Sequence, residues 1–259
     1  MSKPPEYVGG HGLLAGKTVL ITAAAGTGIG FAAARKALEE GAVVAISDKH
    51  ERRLGQAADD LAAIAGARPL AVPCDVTAEA DVQRLVDTAA AELGGIDVVI
   101  NNAGLGGQAD VVDMTDDQWH LVLDVTLNGT FRMTRAALRH MRARGRGVIV
   151  NNASVLGWRA QKGQAHYAAA KAGVMALTRC SALEAAEFGV RVNAVAPSIA
   201  MHAFLARTSS DELISELGSA EAFGRAAEPW EVANVMVFLA SDYSSYMTGE
   251  VVSVSNRHA

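Results

Sequence analysis

The stretch that most limits the possible folds runs from Lys17 to Gly41. It reads KTVLIT, then Ala-Ala-Ala-Gly26-Thr27-Gly28-Ile29-Gly30, then FAAARKALEEG. The β-branched apolar run predicts a strand, and the last segment predicts a helix that Gly41 ends. Glycines between a strand and a helix let the backbone turn tightly and approach a pyrophosphate, whose charge the helix N-terminus favours. The competing reading is a tight turn with no ligand. Asp48, 18 residues beyond Gly30 at the end of the next apolar run, favours the nucleotide.

The alternation continues down the chain. Strands are expected at 42–47, 69–73, 96–100, 148–151, 190–196 and 251–254. Helices are expected at 51–65, 78–93, 116–142, 165–188 and 229–240, the last with Pro229 near its start. Strands alternating with helices predict an α/β fold: a single-domain, Rossmann-like, doubly wound parallel sheet with helices on both faces. We expect a flexible Gly/Pro-rich segment at residues 1–12, one domain over 13–259, and a substrate flap near 198–223 between a strand end and a helix.

Composition narrows the function. A net charge of −5 with no basic block argues against a nucleic-acid footprint. No apolar run reaches the ~18 residues of a membrane span, and the first twelve residues hold no signal-peptide core. Cys74 and Cys180 make no disulfide framework and read as small buried hydrophobes, so a reducing cytoplasm is the expected location. No metal is expected.

Chemistry concentrates in NNASVLGWRAQKGQAHYAAAKAGVMAL, from Asn151 on. Ser154 stands at the end of a predicted strand. Tyr167 and Lys171 are four residues apart and share a helix face. A phenol titrates near 10, so a tyrosine base needs lowering, which a nearby ammonium and a positive nicotinamide would both favour. The bland alternative is a surface Tyr and Lys on an Ala-rich helix. Elsewhere, the Asp48 carboxylate can accept from ribose hydroxyls and repel a 2′-phosphate, favouring NAD over NADP, while Lys49 opposes that preference. Asp75 either touches the adenine or caps the helix after it. The amide of Asn101 either ties strand ends together or meets the cofactor, and Gly104 lets the chain pass close to that cofactor.

The glycine loop, Asn101-Asn102-Ala103-Gly104, Ser154, Tyr167-x-x-x-Lys171, Arg191-Val-Asn-Ala-Val-Ala-Pro197 and Gly224-Arg225…Glu228-Pro229 occur in one order. Together they resemble the short-chain dehydrogenase/reductase family over about Leu14 to Val254. The resemblance implies hydride transfer between a nicotinamide dinucleotide and a secondary alcohol or ketone, or alternatively reduction of a 3-oxoacyl thioester. It implies Tyr167 as acid/base, Ser154 as the donor that polarises oxygen, and Lys171 tuning Tyr167 and holding the nicotinamide ribose. Cofactor contacts are implied at Gly26, Gly28, Ile29, Gly30, Asp48, Asp75, Val76, Asn102, Ala103, Gly104, Tyr167, Lys171, Pro197 and Ile199. A homodimer or homotetramer is implied, pairing the 116–142 helix and the Tyr-bearing helix with those of a neighbour.

Three positions depart from the family. Ala23 stands where the first glycine belongs, in a loop one residue longer. Thr126 replaces a helix asparagine, and Asn128, two residues on, faces elsewhere. Ser198 and His202 replace a Gly and a Thr, and His202 reads equally as a cofactor contact and as a loop histidine. His166 reads as structural. The pocket is expected from Leu105 to Gln108, Val155 to Trp158 and Met201 to Leu205, an apolar lining for an apolar substrate, with Arg159, Lys162 and Arg207 at the rim. The altered loop and Ala-Pro-Ser-Ile-Ala-x-His are similar to an actinobacterial branch associated with steroid-ring or acyl-CoA catabolism, so a CoA thioester is an expected substrate form. The reading of another class is a dinucleotide-binding scaffold or sensor without catalysis.

Overall fold

A computed structural model describes residues 3–201, 218–219 and 221–256. The described elements are β1 (Thr18–Thr22), α1 (Ile29–Glu39), β2 (Val43–Asp48), α2 (Glu51–Ala65), β3 (Leu70–Pro73), α3 (Glu79–Leu93), β4 (Val98–Asn101), α4 (Asp116–Leu123) and α5 (Gly129–Arg144). They continue with β5 (Gly147–Asn152), α6 (Ala165–Ala186), β6 (Val190–Pro197), α7 (Pro229–Ala240) and β7 (Val251–Val254). All neighbouring strands are parallel, in the order β3-β2-β1-β4-β5-β6-β7.

Alternate residues of each strand feed opposite cores. Val19 and Ile21 of β1 pack with Ala33, Ala34 and Ala37 of α1, with α2, and with Val232 and Met236 of α7. Leu20 packs with Val82 and Leu85 of α3 and Met133 and Met141 of α5. A strand covered on both faces is apolar at every position, so KTVLIT shows no alternation in sequence. The order reverses between β1 and β4, whose following helices lie on opposite faces. A crevice therefore opens at the C-terminal ends of those strands.

The expected 116–142 helix is interrupted. Asp124–Asn128 is a single π-helical turn between α4 and α5. The hydroxyl of Thr126, at its centre, bonds to both backbone groups of Leu105 in the adjoining loop, and Thr130 Oγ1 donates to the Thr126 carbonyl at 2.8 Å. Periodicity cannot report such a turn, because it arises from contact with a distant loop.

Within the segment expected to be flexible, residues 7–11 are tied to α1. The Tyr7 hydroxyl donates to Glu39, and its ring meets Trp230 of α7 edge-on at 5.5 Å. Lys36 Nζ donates to the carbonyls of Val8 and Gly9, and Glu40 accepts from the amides of His11 and Leu13. Cys74 is buried as expected. Cys180 is exposed, because it lies on the outward face of α6, whereas Thr178, Ser181 and Ala182 face inward. No helix among the described residues is long and apolar enough to cross a membrane.

Candidate active site

β5 delivers Asn152 to the C-terminal edge of the sheet, and Ala153 still donates to the Val195 carbonyl of β6. Ser154 then leaves the strand in extended conformation and caps a short 3-10 turn, accepting from the Leu156 amide at 3.2 Å. α6 returns across this edge. It sets Tyr167 and Lys171 one turn apart, with Lys171 Nζ 5.5 Å from the centre of the Tyr167 ring. The Lys171 side chain is buried, at 2 % exposure, and Nζ donates to the Asn152 carbonyl at 2.5 Å.

Electrostatics here differ from the sequence-based expectation. Burial pushes the Tyr167 phenol up to about 12, and a hydrogen bond with Ser154 pulls the other way. Burial alone lowers Lys171 to about 7. Desolvation is the first cause of the shift at both groups, and the only opposing cause at the phenol is Ser154.

The loop after β4 closes over this pair. A Cβ on Gly104 would lie 3.3 Å from Lys171 Nζ, and one on Gly106 would lie 3.7 Å from the Tyr167 ring. His166 is buried and accepts from the Tyr167 amide through Nδ1, which matches its structural reading. Asn128 bonds to Asp124 in an exposed position, away from the site, as its place in the turn predicts.

The nucleotide candidates line the same edge. Gly28 is the N-cap of α1. That helix has no side-chain cap and no acid in its first turn, so its amide end is left for an anion. Ile29 begins the helix. At Gly30 a side chain is impossible, since a Cβ would come 2.4 Å from the Ala23 carbonyl and 2.5 Å from Asn102 Nδ2. Ala23 takes a left-handed conformation with φ of 52°, which a glycine would adopt without strain. These features suit a dinucleotide pyrophosphate.

Asp48 ends β2. Burial raises its pKa, while Arg53, the Ala25 amide and Lys49 act to lower it. One of its oxygens accepts from the His50 amide. Asp75 Oδ1 accepts from the amide and hydroxyl of Thr77 in a turn ahead of α3, whose N-cap is Ala78 with no side-chain cap, so Asp75 does not cap that helix. Val76 is buried after β3. Asn101 is also buried, and its amide ties to Asn151 and Thr134, the structural alternative. The Asn102 side-chain NH2 is spent on the Thr22 and Ala23 carbonyls. The amides of Asn102 and Ala103 both donate to Thr22 Oγ1, a residue that sequence reading left unassigned. Pro197 ends β6, and the Ile199 carbonyl accepts from Ala227.

Trp158 is 42 % exposed beside Ser154, and Leu156 is half-buried. Lys162 pairs with Asp110 at 3.2 Å, and Arg159 reaches Ser255. His202, Phe204, Leu205 and Arg207, and with them most of the expected flap, lie outside the described residues.

Residues 23–256 match the family model described as enoyl-(acyl carrier protein) reductase. The chain is 65% identical to a (5R,7aS)-5-hydroxy-7a-methyl-1-oxo-2,3,5,6,7,7a-hexahydro-1H-indene-carboxyl-CoA reductase of Mycobacterium tuberculosis, over 100% of this chain and 99% of that protein. It is 41% identical to a cis-4-hydroxycyclohexanecarboxylate dehydrogenase of Sinomonas cyclohexanicum, over 91% and 94% of the two chains. A short chain dehydrogenase from Mycobacterium smegmatis superimposes with a TM-score of 0.89 at 61% identity, covering 99% of both chains.

Proposed function

The chain belongs to the short-chain dehydrogenase/reductase family, and from that premise we propose that it interconverts a ketone and a secondary alcohol on an alicyclic ring carried as a CoA thioester. The observation that carries this reading is the convergence of Ser154, Tyr167 and Lys171 at the edge where the strand order reverses. The ring and the thioester follow the 65% identical relative, and the half-buried Leu156 and the exposed Trp158 ring supply apolar surface beside the site.

When bound, the nicotinamide supplies the hydride to the carbonyl carbon or takes it back. Gly26, Gly28 and Gly30 would hold the pyrophosphate, and Gly104, Pro197 and Ile199 would serve the nicotinamide half. In the reductive direction the Ser154 hydroxyl donates a hydrogen bond to the carbonyl oxygen. Tyr167 gives its proton to that oxygen as negative charge builds on it. A phenol raised to about 12 keeps its proton until that moment. The phenolate left behind is stabilised by Ser154 and by the charged form of Lys171. Asp48 favours NAD over NADP, since its carboxylate stands where a 2′-phosphate would bring further negative charge.

The experiment follows reduced-nicotinamide absorbance with NAD(H) or NADP(H) against hydroxy and keto forms of cyclohexane- and hydrindane-carboxyl-CoA, with 3-oxoacyl-CoA as a separate arm. We expect turnover of the ring thioesters with NAD(H), falling at least ~100-fold in Tyr167→Phe. Undiminished turnover in that variant would sink the mechanism. Turnover confined to the 3-oxoacyl arm would replace the ring substrate. Dinucleotide binding with no turnover of any of them would favour the scaffold.

A further inference from the structure

Two adjacent strands end in the same tripeptide. Asn101-Asn102-Ala103 closes β4 and Asn151-Asn152-Ala153 closes β5, and Asn101 pairs with Asn151 in the parallel register. The paired asparagines therefore form two rungs that point to opposite faces.

The first rung is structural. Asn101 Nδ2 donates to Asn151 Oδ1 at 2.9 Å and to Thr134 Oγ1 at 3.2 Å, and Asn151 Nδ2 donates to Thr178 Oγ1 at 2.9 Å. It ties the two strands to α5 and α6.

The second rung ends differently. Asn102 Nδ2 donates to the carbonyls of Thr22 and Ala23 at 3.2 and 3.1 Å, so Asn102 Oδ1 must face Asn152. Asn152 must in turn present its NH2, which donates to that oxygen at 2.9 Å. The amide orientation is thus forced, and Asn152 Oδ1 is left buried without a partner. Asn101 Oδ1 of the first rung is likewise buried without a partner, so the two rungs differ in what their amides join: the first ties strands to helices, and the second reaches the Thr22–Ala23 turn. The carbonyl of this same residue receives Lys171 Nζ. The Thr126 hydroxyl, by contrast, serves Leu105 as both donor and acceptor.

We propose that Asn152 is a positioning residue that joins the dinucleotide loop to Lys171 through one hydrogen-bonded path: the Ala23 carbonyl, the Asn102 amide, the Asn152 amide and the Asn152 carbonyl. This rests on the assignment of Tyr167 and Lys171 as the proton-transfer pair. The glycine loop and the ammonium are then placed relative to one another by the Asn102–Asn152 contact. Loss of that contact disturbs dinucleotide binding and proton transfer together, although the Asn152 side chain stands for neither ligand nor acid.

The test uses the full-length protein and three variants: Asn152→Leu, the near-isosteric Asn152→Asp, and Thr134→Val on the first rung. NADH and NADPH affinities are read by fluorescence titration without substrate. The titration of Lys171 is read by NMR of 15N-labelled lysine. Turnover is read with the ring thioesters. Asn152→Leu is expected to weaken binding of the preferred dinucleotide about tenfold and to lower kcat about 100-fold, the scale of a small misplacement of a reacting group. In Asn152→Asp, Asn102 must turn its amide toward the carboxylate and release Ala23, so affinity falls. The new charge also raises the Lys171 pKa. Thr134→Val is expected to lower Tm and leave affinity and the Lys171 titration unchanged. Wild-type affinity and an unmoved Lys171 titration in folded Asn152→Asp would overturn the proposal, and so would wild-type kcat in folded Asn152→Leu. Full turnover in Tyr167→Phe would instead overturn the catalytic assignment while leaving the affinity comparison standing.

Discussion

At Lys171, burial and catalysis pull in opposite directions. Its pKa falls from the usual 10.5 to about 7 because the ammonium is desolvated. Between those values the unfolded chain binds a proton that the folded chain lacks, so this residue makes stability rise with pH above about 7. Cys74 and Tyr167, raised by burial from 9.0 and 10.0 to about 12, act with the opposite sign above their ordinary values. The Lys171 effect is therefore cleanest between about pH 7 and 9. Lys171→Met is expected to raise Tm at pH 7, flatten the rise toward pH 9 and abolish turnover, as thermal melts across that range and the turnover assay would show. Ala23 is a second residue under local tension. Ala23→Gly relieves a left-handed alanine at the cost of a more flexible unfolded chain, so urea melts should show a gain of up to ~1 kcal/mol. A loss larger than that would mean the Ala23 methyl packs usefully.

Among the elements, the π-helical turn depends on one side chain. Thr126→Val keeps the shape but removes the partner of the part-buried amide and carbonyl of Leu105, a loss of roughly 1–2 kcal/mol. Tm should fall by several degrees, and the loop over Tyr167 should exchange its amides faster. The N-terminal segment makes a comparable contribution to α1. Lys36 and Glu40 are 3 % and 1 % exposed and 3.5 Å apart. Burial acts to raise Glu40, yet the Leu13 and His11 amides and Lys36 hold it below the usual carboxylate range. Removing residues 1–12 takes away both carbonyls that receive Lys36 and one amide that serves Glu40. Stability should fall by about 3 kcal/mol, the scale of a buried ion pair left incomplete. An unchanged denaturation midpoint would show that α1 does not depend on this segment.

On the scale of the molecule, the parallel sheet gathers the described nucleotide and proton-transfer candidates at its C-terminal edge, while α5 and α6 present a separate surface. A groove of about 360 Å³ there is lined by Phe131, Leu138, Leu177 and Phe188, and Phe131 and Leu183 are well exposed. Such a face suits a second copy of the chain, the pairing that the family resemblance implies. Leu183→Glu is expected to shift the mass in solution toward the monomer by light scattering, with the fold intact by circular dichroism. An unchanged mass would exclude this face from the assembly.

Much of this was legible because it is local. A β-branched run, glycines at a helix start and a Tyr and Lys four apart are short-range signals, and α2, α7 and β7 keep the limits that periodicity assigns them. The candidate trio Ser154, Tyr167 and Lys171 and the nucleotide loop follow from the resemblance that several such short motifs carry together. What remained hidden depends on residues far apart in the chain. The turn at Thr126 forms because Leu105 lies against it, and residues 8–11 are held because α1 buries Lys36 and Glu40. The direction of the Tyr167 and Lys171 shifts follows from desolvation, which exists only once the site is enclosed. The repeated Asn-Asn-Ala was in plain view, but only the parallel register of β4 and β5 set its amides face to face. Local propensity and pattern determined which elements form and which residues carry chemistry. Tertiary packing decided their protonation and partners, because both depend on which groups exclude water from one another.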